Sequence, residues 1–196
     1  MNALQKKGPF MGAVFSNLIF QGLIAYQSAK TVIENPEYKN FMAKNALFNF
    51  ILLISLFLIL VFAKLGLPIK FILFTICSIL MGAYLSPQSD IKEALLEVIS
   101  VFIIMFILGI LSIHFGFDLR PFGIILILGL LALIISRFIS PGKKKYAKIG
   151  SLLFALFIVF DTNNILQRNY NGDFINASLD YFLDIFNLLQ YNLNNE

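Results

Sequence analysis

Two aspartates, Asp161 in "FIVFDTNNIL" and Asp184 in "YFLDIFNLL", stand in stretches otherwise apolar enough to lie in hydrocarbon. An aspartate at mid-bilayer costs about 2.5 to 3.5 kcal/mol even on the lenient insertion scale, so neither acid can face lipid by itself. They flank a polar turn, "RNYNGD". With one helix ending near Arg168 and the next beginning near Asn176, each acid is expected about 10 to 12 Å from that turn, at 1.5 Å rise per residue, and hence level with the other in a helical hairpin. Two carboxylates meeting in a poorly hydrated site share a proton, and one apparent pKa rises above the ordinary aspartate value of about 3.9. Once deprotonated, Asp161 and Asp184 become oxygen ligands for a hard divalent cation such as calcium, held weakly and in competition with protons. This chemistry suits a pH-sensing or permeation site rather than a tight calcium store.

The final apolar segment carries Asn176, Asp180, Asp184 and Asn187 at steps of four, four and three, a spacing that lines them along one helical face. Such a stripe must face protein or water. It has no Lys or Arg to engage headgroups, which argues against a helix lying on the membrane surface. Asp180, Asn187 and Asn164 are the neighbours expected to support the acids, with Arg168 a charged neighbour two turns beyond Asp161. In the structural alternative Asp161 pairs locally with Arg168, and Asp180 and Asp184 face water in a vestibule.

The elements that must position these acids follow from composition. Of 196 residues, 59% are hydrophobic and 13% charged, more apolar surface than a soluble core of this size needs, so the chain is read as one integral membrane domain over residues 1–196. A bilayer core of about 30 Å calls for roughly 20 apolar residues per helix. Seven segments meet that ruler, at residues 10–29, 45–63, 69–85, 92–114, 121–138, 147–167 and 175–193, separated by "ENPEYKN", "KLGLPIK", "LSPQSD", "FGFDLRP", "SPGKKK" and "RNYNGD". The expected fold is an all-α bundle of seven transmembrane helices, with the polar-striped C-terminal helix central and the more uniformly apolar ones around it. By the placing of Lys and Arg, six on the N-terminal side and nine on the other, the bundle leans toward an external N-terminus.

Several classes fall away. The net charge of +4 comes from scattered lysines and one short run, "GKKKYAK", too narrow for a nucleic-acid surface. One histidine, His114, and one cysteine, Cys77, leave no zinc spacing or disulfide, and no nucleotide loop or nucleophile triad appears, so no enzyme and no cofactor are expected. Cys77 reads as a packing residue and His114 as an interfacial one. Glu93 and Glu97 read as a solvated helix start.

At the two acids the sequence resembles the transmembrane Bax inhibitor motif family. In that family an aromatic followed by Asp-Thr ends one apolar run, matched by Phe160, Asp161 and Thr162, and the last helix carries a Leu-Asp-Ile-x-Asn-Leu pattern, matched from Leu183 through Asp184, Ile185 and Asn187. The likeness extends through "LSPQSDIKEA" (Ser86, Pro87) and "FGFDLRPFG" (Asp118, Leu119, Gly123). It implies a seven-helix fold, a calcium leak regulated by pH through a di-aspartyl pair at Asp161 and Asp184, and, in eukaryotic and viral members, suppression of cell death. The implied partners are the lipid bilayer, calcium, protons and other membrane proteins; the implied membrane is the bacterial inner membrane, the endoplasmic reticulum or the Golgi. Two departures stand out. Phe182 occupies a position where the family usually has tyrosine. The charged latch expected within the second span has no match nearer than Lys44 and Lys64 at its ends. Two other readings stay open, a membrane regulator that acts by binding partner proteins and a proton-coupled cation exchanger.

Overall fold

The structure is a computed structural model that describes residues 3–85, 91–139 and 144–193. Among them there is no strand, and eight α-helices follow one another: α1 (Ala3–Glu34), α2 (Pro36–Lys44), α3 (Ala46–Phe62), α4 (Leu67–Leu85), α5 (Ile91–His114), α6 (Gly123–Ile139), α7 (Lys144–Gln167) and α8 (Phe174–Leu193), with a 3-10 turn at Arg120–Phe122 before α6. Seven of these match the expected spans within a few residues, apart from the longer reach of α1. The eighth is a correction. "ENPEYKN", read as a break, instead starts α2: Asn35 accepts a hydrogen bond from the Glu37 N–H at 3.0 Å and Pro36 opens the helix. Most of the connections "LSPQSD" and "SPGKKK", residues 86–90 with Ser86 and Pro87 and residues 140–143, lies outside the described residues.

By length and composition four helices can cross a bilayer, within Lys7–Glu34, Leu67–Leu85, Glu93–His114 and Tyr146–Gln167, and five if α2 and α3 count together. The seven expected crossings are thus not all matched by equally long apolar helices. Among the described residues α6 is a short apolar helix, and the polar stripe of α8 dilutes its hydropathy.

The chain forms two compact units. One holds α5, the 3-10 turn, α6, α7 and α8 from Leu183 onward. Its centre is α7, which packs on α5 and α6 through glycines: a Cβ at Gly109 would come within 2.4 Å of Thr162, and one at Gly123 within 2.8 Å of the Phe160 ring. The C-terminal end of α7 is closed by the Lys7 ammonium, which donates to the Arg168 carbonyl at 2.5 Å, a favourable place for a cation.

The other unit holds α1 from Gly8, α2, α3, α4 and residues 170–182, the first part of α8. Here Gly82 of α4 abuts the backbone of Ala25 on α1 so closely that a Cβ would lie 2.0 Å from its carbonyl oxygen. Beside this contact a polar network ties three helices. Asn17 donates to Ser178 at 2.5 Å, Gln21 donates to Asn17 and Thr75, and the Ser78 hydroxyl lies 2.9 Å from the Gln21 carbonyl oxygen. All but Thr75 are buried, so these bonds replace water that the interior excludes. The turn before α8 places Asn171 (φ 50°) and Gly172 (φ 82°) in left-handed conformations, and Asp173 N–H closes it on the Tyr170 carbonyl at 2.9 Å.

Candidate functional site

The site is built on α7 around residues 160–163. Phe160 lies against Gly123, Thr162 lies against Gly109, and Asn163 reaches the α5–α6 connection. Asn163 is fully buried and uses all four of its side-chain bonding positions. Its amide donates to Ser112 Oγ at 2.7 Å and the Phe117 carbonyl at 3.0 Å; its carbonyl oxygen accepts from Leu119 N–H at 3.1 Å and Gln167 at 2.6 Å. Three positions flanking Asp161, namely Phe160, Thr162 and Asn163, are therefore anchored, which fixes the rotation of α7 about its own axis. The "FGFDLRPFG" segment belongs to this anchor through Leu119 and Gly123. Its Asp118 folds back on Arg120, accepting at 2.8 Å and 2.6 Å from the guanidinium and at 3.0 Å from the backbone N–H, and these bonds hold the exposed carboxyl below the usual carboxylate range.

The remaining side of α7 carries Asp161, and Gly150 shows what that side meets. A Cβ on Gly150 would lie 2.4 Å from Tyr191 Cε1, and the Phe154 ring stacks on Tyr191 with centroids 5.8 Å apart, so α7 and the C-terminal part of α8 touch there. From Gly150 to Asp161 is eleven residues, within about 20° of three full turns, and from Asp184 to Tyr191 is seven residues, within about 20° of two turns. Asp161 thus shares the face of Gly150, and Asp184 shares the face of Tyr191. Each acid lies on the side of its helix that takes part in the α7–α8 contact.

Their environments differ. Asp184 is 4% exposed and its Oδ2 is sealed from solvent, whereas Asp161 is half-buried. The vestibule alternative, with Asp184 facing open water, does not hold. Asn164 stands one turn beyond Asp161 and is half-buried. Asn187 donates to the Leu183 carbonyl of its own helix at 2.8 Å, leaving its carbonyl oxygen as the group it can offer a cation. Asp180 accepts from the Tyr170 hydroxyl at 3.3 Å within the other unit. Lys64 is exposed in the α3–α4 connection and Arg168 is exposed just past α7. Among the described residues no three His, Cys, Asp or Glu side chains converge on one point. A cation at the α7–α8 faces would therefore meet carboxylates and amide oxygens in small number.

Residues 9–194 match the family model described as "Inhibitor of apoptosis-promoting Bax1". The chain belongs to this Bax inhibitor family. With its long apolar helices, that membership makes it an integral membrane protein. Within this Bax inhibitor protein, sequence reasoning overlooked one charged contact. Lys70, the last residue of the break "KLGLPIK", is buried in the first turns of α4 and pairs with Asp173 at 2.5 Å. Asp173 also accepts the Asn176 N–H at 3.1 Å, capping α8. A lysine in an apolar run was the available signal. Asn17 and Gln21, four apart in an otherwise apolar helix, marked the polar network in the same way.

Proposed function

We propose that this Bax inhibitor protein is a pH-sensitive calcium leak in which Asp161 and Asp184 hold one proton between them, with α8 as the central helix of a seven-span bundle. The observation that carries the reading is the placement of both acids on the touching faces of α7 and α8, with Asp184 withdrawn from water. The Arg168–Asp173 connection is short, so the helices run antiparallel and both acids lie on the same side of the Gly150–Tyr191 contact. Counted from that contact, Asp161 is about 16 Å and Asp184 about 10 Å along the helix axes, a separation of roughly one turn that two aspartate side chains leaning toward each other can span.

In such a site protonation favours the two acids being drawn together, and loss of the shared proton leaves two negative charges that repel each other unless a cation comes between them. The same charges attract calcium, and the small number of oxygen ligands lets it leave, which a conducting site needs. The pair is thereby both sensor and part of the path. The membrane in question is a bacterial inner membrane or, in a eukaryotic or viral setting, the endoplasmic reticulum or Golgi, where a calcium leak would lower stored calcium and restrain cell death.

Purified protein in liposomes loaded with a calcium indicator tests this. Wild type is expected to pass calcium with a pH-dependent rate, and Asp161→Asn, Asp184→Asn and the double variant to lose that dependence. Absence of calcium movement in wild type, or a double variant with its pH response intact, would overturn the reading and favour a regulator acting through protein partners. Strict dependence on an opposing proton gradient would replace the leak by an exchanger.

A further inference from the structure

The α2 helix, Pro36–Lys44, buries none of its residues and is set off from α3 by a bend of 77° at Asn45. Its sequence is strongly sided. Tyr38, Phe41 and Met42 fall within about 100° of arc, while Lys39, Asn40 and Lys44 lie on the other side. Tyr38 and Phe41 are 52% and 59% exposed, an unusual investment of aromatic surface for a segment facing water.

We propose that α2 is an interfacial helix whose partner is the lipid surface itself, with Tyr38 and Phe41 at the boundary between headgroups and acyl chains and Lys39 and Lys44 reaching back to lipid phosphates. Three observations favour this occupant. The chain passes from α2 through Asn45 into α3, whose first turn likewise exposes large apolar side chains, Leu47 and Phe48. If α3, 17 residues long, stands upright in the bilayer, the bend puts α2 within about 13° of the membrane plane, and the average span tilt of about 20° still leaves it far from upright. The polar side carries two lysines against one glutamate, Glu37, which suits a surface of anionic phosphates. Tyrosine at such a level is the side chain best able to place a ring in acyl chains and a hydroxyl among headgroups.

The chain contains no tryptophan, so a single introduced one reports its own surroundings without background. Tyr38→Trp, Phe41→Trp and, on the polar side, Asn40→Trp would be placed in phosphatidylcholine and phosphatidylglycerol vesicles containing lipid brominated either in the upper acyl chain or near the chain ends. All three positions are exposed, so the fold should tolerate them, which an unchanged thermal midpoint checks. Emission from Tyr38→Trp and Phe41→Trp is expected to be blue-shifted and quenched at least about twofold more by upper-chain than by chain-end bromine, whereas Asn40→Trp is quenched by aqueous iodide. Equal iodide quenching of all three would mean that α2 stands in water, and stronger quenching by chain-end bromine would mean that it is half of a broken span; either result overturns the proposal.

Discussion

Replacing Gly150 by alanine adds one methyl group at the point where α7 meets α8. The new carbon would lie 2.4, 2.5 and 2.7 Å from Cε1, Cζ and Cδ1 of Tyr191, against an ordinary carbon–carbon contact of about 3.5 to 4.0 Å. The ring must withdraw by about 1 Å or more, and Phe154, stacked on it, limits where it can go. Overpacking of this kind costs about 1 to 3 kcal/mol. In the opposite direction, alanine is about 1 kcal/mol better than glycine inside a helix. The net expectation is a loss of about 0 to 2 kcal/mol with Tyr191 in place, and a gain of up to about 1 kcal/mol in a Tyr191→Ala background, where the clash is gone. The difference between backgrounds, about 1 to 3 kcal/mol, is the coupling of the two residues. Reversible unfolding of the detergent-solubilised protein, measured for wild type, both single variants and the double variant, gives it directly. If Gly150→Ala has the same effect in both backgrounds, α7 and α8 do not touch there, and the facing of Asp161 and Asp184 deduced from that contact fails with it. In liposomes, Gly150→Ala should also shift the pH at which calcium flux is half-maximal, because wedging the helices apart weakens proton sharing.

Other consequences are open to measurement. Lys70→Met strands Asp173 beside a buried apolar side chain and should destabilise the protein by about 3 to 5 kcal/mol in the same unfolding assay, while Lys70→Met with Asp173→Asn, which keeps an α8 cap without the charge, should recover much of that loss. Asn163→Leu should cost several kcal/mol, since it leaves Leu119 N–H and the Phe117 carbonyl without their side-chain partner at about 1 to 3 kcal/mol each; an unaffected stability would refute the anchoring of α7. Asp118 has its carboxyl depressed by the Arg120 hydrogen bonds, so its contribution is present above the ordinary carboxylate pKa and fades as pH falls through the depressed value. Asp118→Asn should therefore leave the thermal midpoint at neutral pH nearly unchanged, because the pair is fully exposed, and flatten only the most acidic part of the stability profile.

Much about this protein is written in its local sequence. Hydrophobic runs and their polar breaks placed seven of the helices, because apolar residues gathered between turn-forming ones mark where a helix runs, although four of the helices, or five if α2 and α3 count together, are long and apolar enough to cross a bilayer. The Asn-Gly pair announced the turn before α8, because residues tolerant of positive φ are needed there. Asp161 and Asp184 were visible as candidates since an acid in an apolar run demands explanation. The short α2 escaped notice because proline, glutamate and asparagine describe a helix start as well as a loop, and only the capping geometry separates them. Tertiary structure alone decided which side of each helix faces a neighbour. The helical rotation of α7 depends on where Phe160, Thr162 and Asn163 find partners more than forty residues away for Asn163, and the burial of Lys70 depends on an aspartate on the far side of the chain. Such pairings arise from packing between segments remote in sequence. No periodicity within one segment encodes them.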